Sequence, residues 1–388
     1  MTPESKVSIT RAENGIYSAL SQAFESLGER PVAKGDRVLI KPNLVEPRDP
    51  GSGAVTTPGL IEATARYCLD CSAAKVIIGE GPSYYQAESR LRDCFTESGV
   101  AGIAQRLGID WVLFDEHGYR TFRNVSDYTP REFRITEFAF TCDKLINLPV
   151  LKTHYLTKVT LAMKNLKGCL KREDKPRFHD RDLSAAVVEL CKIVRPTINI
   201  IDCTPKGIVR QLGVGYSEKK KGGGGLLIAG RDIVAVDAVG CALMGIDPKE
   251  VRTVSLGAEA GLGEGELTRI NIVGEELRRL KFKVKLPQEE LRRSFPRLEI
   301  IGAEKACSGC LIPLLSGLTV LGEQGVRLDK PLAICLGKKP APPKDKTALL
   351  VGDCALEEDK DNYSYVPGCP PDREELLGHL AGAMKEKT

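Results

Sequence analysis

Short apolar runs alternate with amphipathic stretches along most of the chain. Seven of these runs predict strands, at 37–44, 75–81, 111–116, 144–149, 198–203, 225–230 and 270–274. Near-continuous apolar runs of this length are typical of strands that are buried on both faces. The amphipathic stretches between them predict helices, among them 58–70 and 183–194. This alternation predicts an α/β fold, with a mainly parallel sheet flanked by helices.

A charged stretch near residues 275–295 interrupts this pattern. Three further apolar runs follow it, at 298–302, 332–337 and 347–352. The 388 residues of the chain also exceed what one ordinary core holds. We therefore expect two domains, a larger α/β domain at 1–295 and a smaller α/β domain at 296–388.

Composition and charge narrow the class of protein. Apolar residues make up 42% of the chain and charged residues 28%, which is typical of globular proteins. The net charge of +4 is too small to indicate nucleic-acid binding. The first residues lack the apolar core of a signal peptide, and no apolar run approaches the roughly 18 residues that span a membrane. We expect a cytoplasmic protein that binds neither nucleic acid nor a membrane.

Thirteen cysteines are many for such a chain, and the odd count argues against a disulfide scaffold. Six lie scattered in mostly apolar surroundings and are expected to be buried as small hydrophobic residues: Cys94, Cys142, Cys169, Cys191, Cys203 and Cys241. Cys335 lies inside a predicted strand and is likewise assigned to the core. Cys68 and Cys71 form a C-x-x-C pair at the end of a predicted helix, where a redox or ligand role stays open beside a structural one.

Four cysteines follow the strands of the smaller domain. Cys307 and Cys310 form a C-x-x-C pair after its first strand, Cys354 follows its third strand, and Cys369 lies in a Gly-Cys-Pro-Pro turn. Because the carboxyl ends of parallel strands share one sheet edge, the four thiolates are expected to converge there. Such a set suits either a [4Fe–4S] cluster or a tetrahedral zinc ion. The order of C-x-x-C, G-x-C and G-C-P-P resembles the proximal-cluster motif of nickel–iron hydrogenase small subunits and their relatives in respiratory complex I, and this resemblance implies one [4Fe–4S] cluster.

Several strands of the larger domain end in polar side chains: Lys41, Asn43, Glu80, Lys152, His154 and Asp202. A single such residue is most simply a surface charge, but several along one sheet edge predict a polar crevice. The stretch 152–182 adds a high density of positive charge and holds two of the four histidines, His154 and His179. This density favours a ligand with a carboxylate or phosphate group, and a solvated basic surface is the alternative.

Two other segments have ordinary structural interpretations. One of the two aspartates in AGRDIVAVDAVG, Asp232 or Asp237, is expected to cap the helix that follows it. The run KKKGGGG at 219–225 is interpreted as a solvated loop. No G-x-x-x-x-G-K-[ST] motif occurs in the sequence, which argues against a P-loop nucleotide enzyme.

Seven segments, taken in order, resemble the bacterial and archaeal domain-of-unknown-function family 362 over about residues 35–260: KPNL, TTP at 56–58, GEGP, LPVLKTH, MKNLKG at 163–168, His179 and AGRDIVAVDAVG. Members of that family commonly carry iron–sulfur segments with closely spaced cysteines, whereas the cysteines here are spread over 307–369. The family is also distantly similar to the nickel-pincer lactate racemases, which are α/β enzymes that use lysine and histidine at the cofactor. No nickel role is assigned to Lys152 or His154.

Together these features predict an iron–sulfur oxidoreductase. A cluster on Cys307, Cys310, Cys354 and Cys369 would pass electrons from a ferredoxin-like donor to a small anionic substrate in the crevice. The catalytic candidates are Lys152, His154 and His179, with one histidine supplying a proton. The substrate-binding candidates are Lys41, Asn43, Glu80, Lys164, Asn165 and Lys167. A further cofactor in the crevice, such as a flavin, and a homodimer stay open.

Two alternatives remain beside the oxidoreductase. The first is a non-redox enzyme or ligand-binding protein in which zinc or an iron–sulfur cluster only stabilises the small domain. The second is an electron-carrier subunit that has no substrate of its own.

Overall fold

The computed structural model of the protein describes residues 5–83, 87–204, 208–212, 214–218, 225–328, 330–344, 347–356 and 363–384. The expected loop KKKGGGG lies, apart from Gly225, outside the described residues.

The described residues form eighteen strands, which are β1 (Lys6–Arg11), β2 (Arg37–Lys41), β3 (Lys75–Glu80), β4 (Asp110–Leu113), β5 (Tyr119–Arg123), β6 (Glu132–Thr136), β7 (Lys144–Asn147), β8 (Lys152–His154), β9 (Lys158–Thr160), β10 (Ile198–Cys203), β11 (Ile208–Leu212), β12 (Val214–Glu218), β13 (Leu226–Gly230), β14 (Asn271–Gly274), β15 (Leu298–Ile301), β16 (Leu332–Leu336), β17 (Thr347–Val351) and β18 (Ser364–Val366).

Thirteen α-helices connect and cover these strands in the described part of the chain, namely α1 (Ile16–Leu27), α2 (Pro58–Asp70), α3 (Asp93–Glu97), α4 (Val100–Leu107), α5 (Phe138–Thr141), α6 (Ala162–Asn165), α7 (Leu183–Ile193), α8 (Ile233–Leu243), α9 (Arg252–Glu259), α10 (Leu277–Leu280), α11 (Pro287–Ser294), α12 (Ser308–Glu323) and α13 (Arg373–Met384).

Eight strands form one large sheet in the order β14-β1-β13-β10-β7-β2-β3-β4. Its neighbouring pairs are parallel, except that β13 runs antiparallel to both β1 and β10. Leu39 packs into a core that includes α7, α8 and α9, whereas Val38 and Ile40 pack into a second core that includes α1, α2 and α4. Helices therefore cover both faces of a mainly parallel sheet, as predicted.

The seven strands predicted for the larger domain all occur in this sheet. The remaining strand, β1, was not predicted, because Ser8 and Thr10 interrupt its apolar pattern although both are buried.

A second parallel sheet follows in the order β15-β16-β17-β18. It has its own apolar core, in which Ile334 and Val351 of the sheet pack with Leu314 of α12 and Leu380 of α13. The three strands predicted for this part of the chain are confirmed. The division of the chain at residue 295 stays a prediction.

The small sheet unit packs against the segment that carries the basic residues. Tyr155 and Leu156 contact its apolar core, and the carbonyl of Tyr155 accepts a hydrogen bond from Gln288. Lys338 forms an ion pair with Asp180 at 2.5 Å. These contacts place the N-terminal end of α12 beside the carboxyl edge of the large sheet.

The buried helix α8 positions α6 through one carboxylate. Of the two aspartates considered as caps, Asp232 is the one that caps α8, by accepting hydrogen bonds from the backbone N–H groups of Val234 and Ala235. Further along α8, Asp237 accepts from the backbone N–H of Ala162 at 2.7 Å and of Met163 at 3.1 Å. These two bonds satisfy donors at the start of α6, the helix that carries Lys164 and Asn165.

Burial raises the pKa of Asp237 from its ordinary value of 3.8 to about 7, although both N–H bonds act in the opposite direction. The folded state therefore binds this proton more tightly than the unfolded chain. The stabilisation is fully present below pH ~4 and is lost as the pH rises through ~7.

We expect the free energy of unfolding of the wild type to fall across this pH range relative to that of Asp237→Asn, by at most about 1.4 kcal/mol per pH unit. Urea unfolding of both proteins at several pH values measures this difference. Parallel pH profiles for the two proteins would contradict the assignment.

Candidate functional site

A polar pocket of about 100 Å³ lies at the carboxyl edge of the large sheet. The pocket is lined by residues that follow β2 and β3, by the β8–β9 hairpin, by α6 and the turns after it, and by the first turns of α12. It brings together seven of the residues predicted to form the crevice: Asn43, Glu80, Lys152, His154, Lys164, Asn165 and Lys167. The other two, Lys41 and His179, lie behind this lining.

Lys41 and Glu80 form a buried ion pair at the base of the pocket. The ammonium group of Lys41 donates to both carboxylate oxygens, at 2.7 and 2.8 Å, and both side chains are almost fully buried. Glu80 also accepts from the backbone N–H of Gly81 at 2.9 Å. Because each charge is satisfied by the other, the pair stiffens the site.

Gly168 allows this ion pair to pack beneath the turn that follows α6. A Cβ atom at this position would lie 2.0 Å from Oε1 of Glu80 and 2.5 Å from Nζ of Lys41. Neither side chain can move aside without separating two buried charges. A glycine is therefore required at position 168 because the ion pair leaves no room for a Cβ atom, and not because of its backbone angles.

A chain of side-chain amides runs from the pocket into the sheet. Nζ of Lys152 donates to Oδ1 of Asn43 at 2.6 Å, and Nδ2 of Asn43 donates to Oδ1 of Asn165 at 2.7 Å. The chain continues from Asn165 to Asn147 at 2.8 Å and from Asn147 to Asn199 at 2.9 Å. Asn147 and Asn199 were missed, although a polar residue inside an apolar strand run could have indicated them.

The ammonium group of Lys152 donates to two acceptors, Oδ1 of Asn43 and, at 2.8 Å, the carbonyl of Ala54. Both are neutral oxygen atoms. Burial lowers the pKa of Lys152 to about 8. The amine keeps most of its positive charge at neutral pH without a bonded carboxylate.

His154 is fixed as a neutral hydrogen-bond donor. Its Nδ1 accepts from the backbone N–H of Leu156 at 3.1 Å and of Thr157 at 3.3 Å, so the ring proton resides on Nε2. Burial, followed by the positive charge of Lys164, lowers the pKa of His154 well below its usual range. The ring therefore presents an N–H group in the pocket lining.

Two further lysines contact partners at the edge of the pocket. Nζ of Lys167 lies 2.9 Å from Nε2 of His179. Burial lowers the pKa of Lys167 to about 7, and burial lowers that of His179 well below its usual range. Lys175, which was not selected from the sequence, donates to the carbonyls of Gly81 and Pro82 at 2.6 and 2.8 Å.

Lys164 differs from these neighbours. It lines the pocket, and in the part of the chain that the structure describes it has no hydrogen-bond or ion-pair partner. Burial, together with the positive charges of Lys167 and Lys152, lowers its pKa well below the ordinary value. Glu80 is the only carboxylate among the described residues of the lining, and it already pairs with Lys41. The pocket is consequently positive overall.

The four predicted cysteine ligands lie close together at the edge of the small sheet. Cys307 precedes α12, Cys310 lies in its first turn, and Cys354 and Cys369 follow β17 and β18. A hydrogen bond with the Cys307 side chain raises the pKa of Cys310, as do burial and the charges of the other three thiols. Burial, charge and a hydrogen bond with Cys354 likewise raise the pKa of Cys369.

Gly352 makes room for this thiol cluster. Its φ is +82°, and a Cβ atom there would lie 2.6 Å from Sγ of Cys310. Within the described ranges, no group of three or more His, Cys, Asp or Glu side chains is arranged so that it could hold a metal ion.

Other residues from the sequence analysis lie outside the pocket. Asp202 accepts from the backbone N–H and the hydroxyl of Thr57, at 2.7 and 2.8 Å, and so anchors the start of α2. Of the six scattered cysteines, only Cys142 is partly exposed and the rest are buried; Cys335 is buried in β16, as expected.

A model of a domain of unknown function, DUF362, matches residues 38–242. The chain belongs to this family. The thylakoid-associated protein sll1697 of Synechocystis sp. is 29% identical over 268 residues, which are 66% of this chain and 79% of that protein. The family resemblance expected from the sequence is confirmed, whereas the resemblance of the cysteine motif to that of hydrogenase small subunits stays a prediction.

Two solved structures are similar at low TM-scores. The lactate racemase apoprotein from Thermoanaerobacterium thermosaccharolyticum matches with a TM-score of 0.41 and 10% identity, covering 98% of this chain and 91% of that chain. A Thermotoga maritima protein matches with a TM-score of 0.40 and 13% identity, covering 83% and 70%. At these TM-scores, the two structures support no conclusion about the function of this chain.

No helix in the described ranges is long and apolar enough to cross a membrane. The cytoplasmic location stays a prediction.

We expect Gly168→Ala to lower the free energy of unfolding by at least about 2 kcal/mol, because the new methyl group separates a buried ion pair. Gly378→Ala is the matched control. Its Cβ would meet nothing within 4 Å on the exposed side of α13, so it should be neutral or stabilise the protein by up to about 1 kcal/mol. Urea unfolding measures both values. Equal stability of the two variants would contradict the close approach at Gly168.

Proposed function

We propose that this chain is an iron–sulfur oxidoreductase that delivers electrons to a small anionic substrate in the basic pocket. One observation carries the proposal: α12 belongs to both sites. Ser308 and Ile312 line the pocket, and Cys307 and Cys310 lie in the same helical turn. Ser308 and Cys310 are two residues apart, which is about 3 Å along a helix axis. An electron held at the thiols is thereby adjacent to the pocket lining.

In this proposal Cys307, Cys310, Cys354 and Cys369 are the side chains that would hold a [4Fe–4S] cluster. Three segments supply four thiols at one sheet edge, and Gly352 leaves the space that a side chain would fill beside Cys310. Each thiolate of such a cluster binds its own iron atom, whereas a tetrahedral zinc site requires all four sulfur atoms at about 2.3 Å from one point. When bound, the cluster supplies one-electron transfer.

The pocket selects a small anion by charge and size. Lys152 and Lys175 are held by neutral oxygen atoms, so their charge is left for a ligand. The cavity volume of about 100 Å³ favours a small ligand. Carboxylate or phosphate groups of small metabolites satisfy both limits, because their oxygen atoms accept from several ammonium groups at once.

In this proposal, Lys167 and His179 supply the proton that the reduced product takes up. Lys167 lines the pocket and contacts His179 directly, so that one nitrogen can replenish the proton that the other releases. His154 instead donates its Nε2–H to a substrate oxygen, since its Nδ1 is occupied by backbone donors.

A ferredoxin-like donor meets the cluster on its outer side. Cys354 and Cys369 are exposed, whereas Cys310 is buried towards the core. The exposed pair is therefore the side from which such a donor would approach.

Anaerobic purification, iron analysis and EPR after reduction test this proposal. The wild type should contain about four iron atoms per chain and give an EPR signal after dithionite reduction. Cys369→Ser should lose the signal, and Cys142→Ser in the larger domain should keep it. An iron-free wild type, or a bound metal that dithionite does not reduce, would exclude the redox role; the second result identifies a structural metal.

A further inference from the structure

Lys164 is a pocket amine that the proposed electron transfer does not use. Each of its lysine neighbours has a bonded partner: Lys152 contacts Asn43, Lys167 contacts His179, and Lys175 contacts Gly81. Lys164 has none among the described residues, yet it lines the same cavity. A lysine without a counter-charge, placed among other amines, is poorly suited to remain an ammonium group.

The surroundings of Lys164 favour its neutral form. Burial and the charges of Lys167 and Lys152 lower its pKa well below the ordinary value, so its nitrogen exposes a free lone pair at a lower pH than that of an exposed lysine. A neutral lysine amine in a partly buried pocket is a nucleophile towards carbonyl carbon atoms.

The remaining groups of the pocket complement a carbonyl acid. His154 offers Nε2–H to a carbonyl oxygen, and Lys152 offers positive charge to a carboxylate. Thr160, which is 5% exposed, adds a lining hydroxyl that has no partner within the described ranges. The volume of about 100 Å³ limits the ligand to a few heavy atoms. An amine, an N–H donor and a cation in so small a space match the carbonyl and carboxylate of a short 2-oxo acid.

We propose that Lys164 forms an imine with the carbonyl carbon of a small 2-oxo acid bound in this pocket. The lone pair on Nζ attacks the carbonyl carbon, and one amine proton passes to the carbonyl oxygen to give a carbinolamine. The C–O bond then breaks, and the hydroxyl leaves as water with the second amine proton as C=N forms. The step consumes no oxidant or reductant. It rests on the proposed anion pocket and names the substrate class.

Borohydride trapping tests the imine directly. The full-length protein is incubated with glyoxylate, the smallest 2-oxo acid, and sodium cyanoborohydride, and the adduct is located by peptide mass spectrometry. We expect one predominant adduct on Lys164. Its rate should rise less steeply with pH than the labelling of an exposed lysine such as Lys249, which should rise about tenfold per pH unit below its pKa.

Three variants complete the test. Lys164→Met and Lys164→Arg should both lose the predominant adduct, and the arginine variant keeps a long basic side chain if methionine perturbs folding. Lys171→Met, in the same basic stretch but outside the pocket lining, should leave the adduct unchanged. Labelling spread over exposed lysines with Lys164 unmodified, or an unchanged adduct in Lys164→Arg, overturns the proposal.

The result of the trapping experiment does not depend on whether the four cysteines hold a cluster. Trapping needs no electron transfer, so it is measured on the full-length protein as isolated, with the iron content determined in parallel. Trapping by an iron-free protein would uphold the imine and remove the oxidoreductase proposal. A reducible cluster without trapping would remove only the imine.

Discussion

The pocket is organised around one electrostatic constraint: several lysine amines lie in a largely buried space, and Glu80 is the only carboxylate among the described residues that line it. An unpaired charge is costly to bury, so each amine must be paired, held by neutral oxygen atoms or deprotonated. The structure uses all three solutions. Lys41 pairs with Glu80, Lys152 rests on Asn43, and Lys164 has a strongly lowered pKa. The positive charge that remains is available to a ligand, and this supports the proposal that an anion binds here.

The same constraint connects the two halves of the proposed enzyme. Negative charge on Cys307 raises the pKa of Lys167 and so opposes the effect of burial on that amine. The thiol cluster and the pocket therefore influence each other across the first turn of α12. Packing of Tyr155 and Leu156 against the small core keeps that turn in place. Residues far apart in sequence thus come together, and in the proposed enzyme neither sheet alone would contain a complete site.

The sequence predicted those parts of the structure that depend on local patterns. Strands such as β2 and β10 are continuous apolar runs, and strand ends placed Lys41, Asn43 and Glu80 at one edge. The helix α12 was not predicted, because its C-x-x-C start and Pro313 are typical of a loop; burial of its leucines against the small sheet stabilises the helix instead. Lys175 and Ser308 were also missed, since only tertiary packing brings them to the pocket.

Anomalous diffraction from anaerobically grown crystals, measured on both sides of the iron absorption edge, tests the connection between the two sites most directly. We predict iron density enclosed by Cys307, Cys310, Cys354 and Cys369, adjacent to Ser308 at the pocket wall. Absence of iron density at these cysteines, or an anomalous signal that appears there only at the zinc edge, would contradict a redox centre beside the basic pocket.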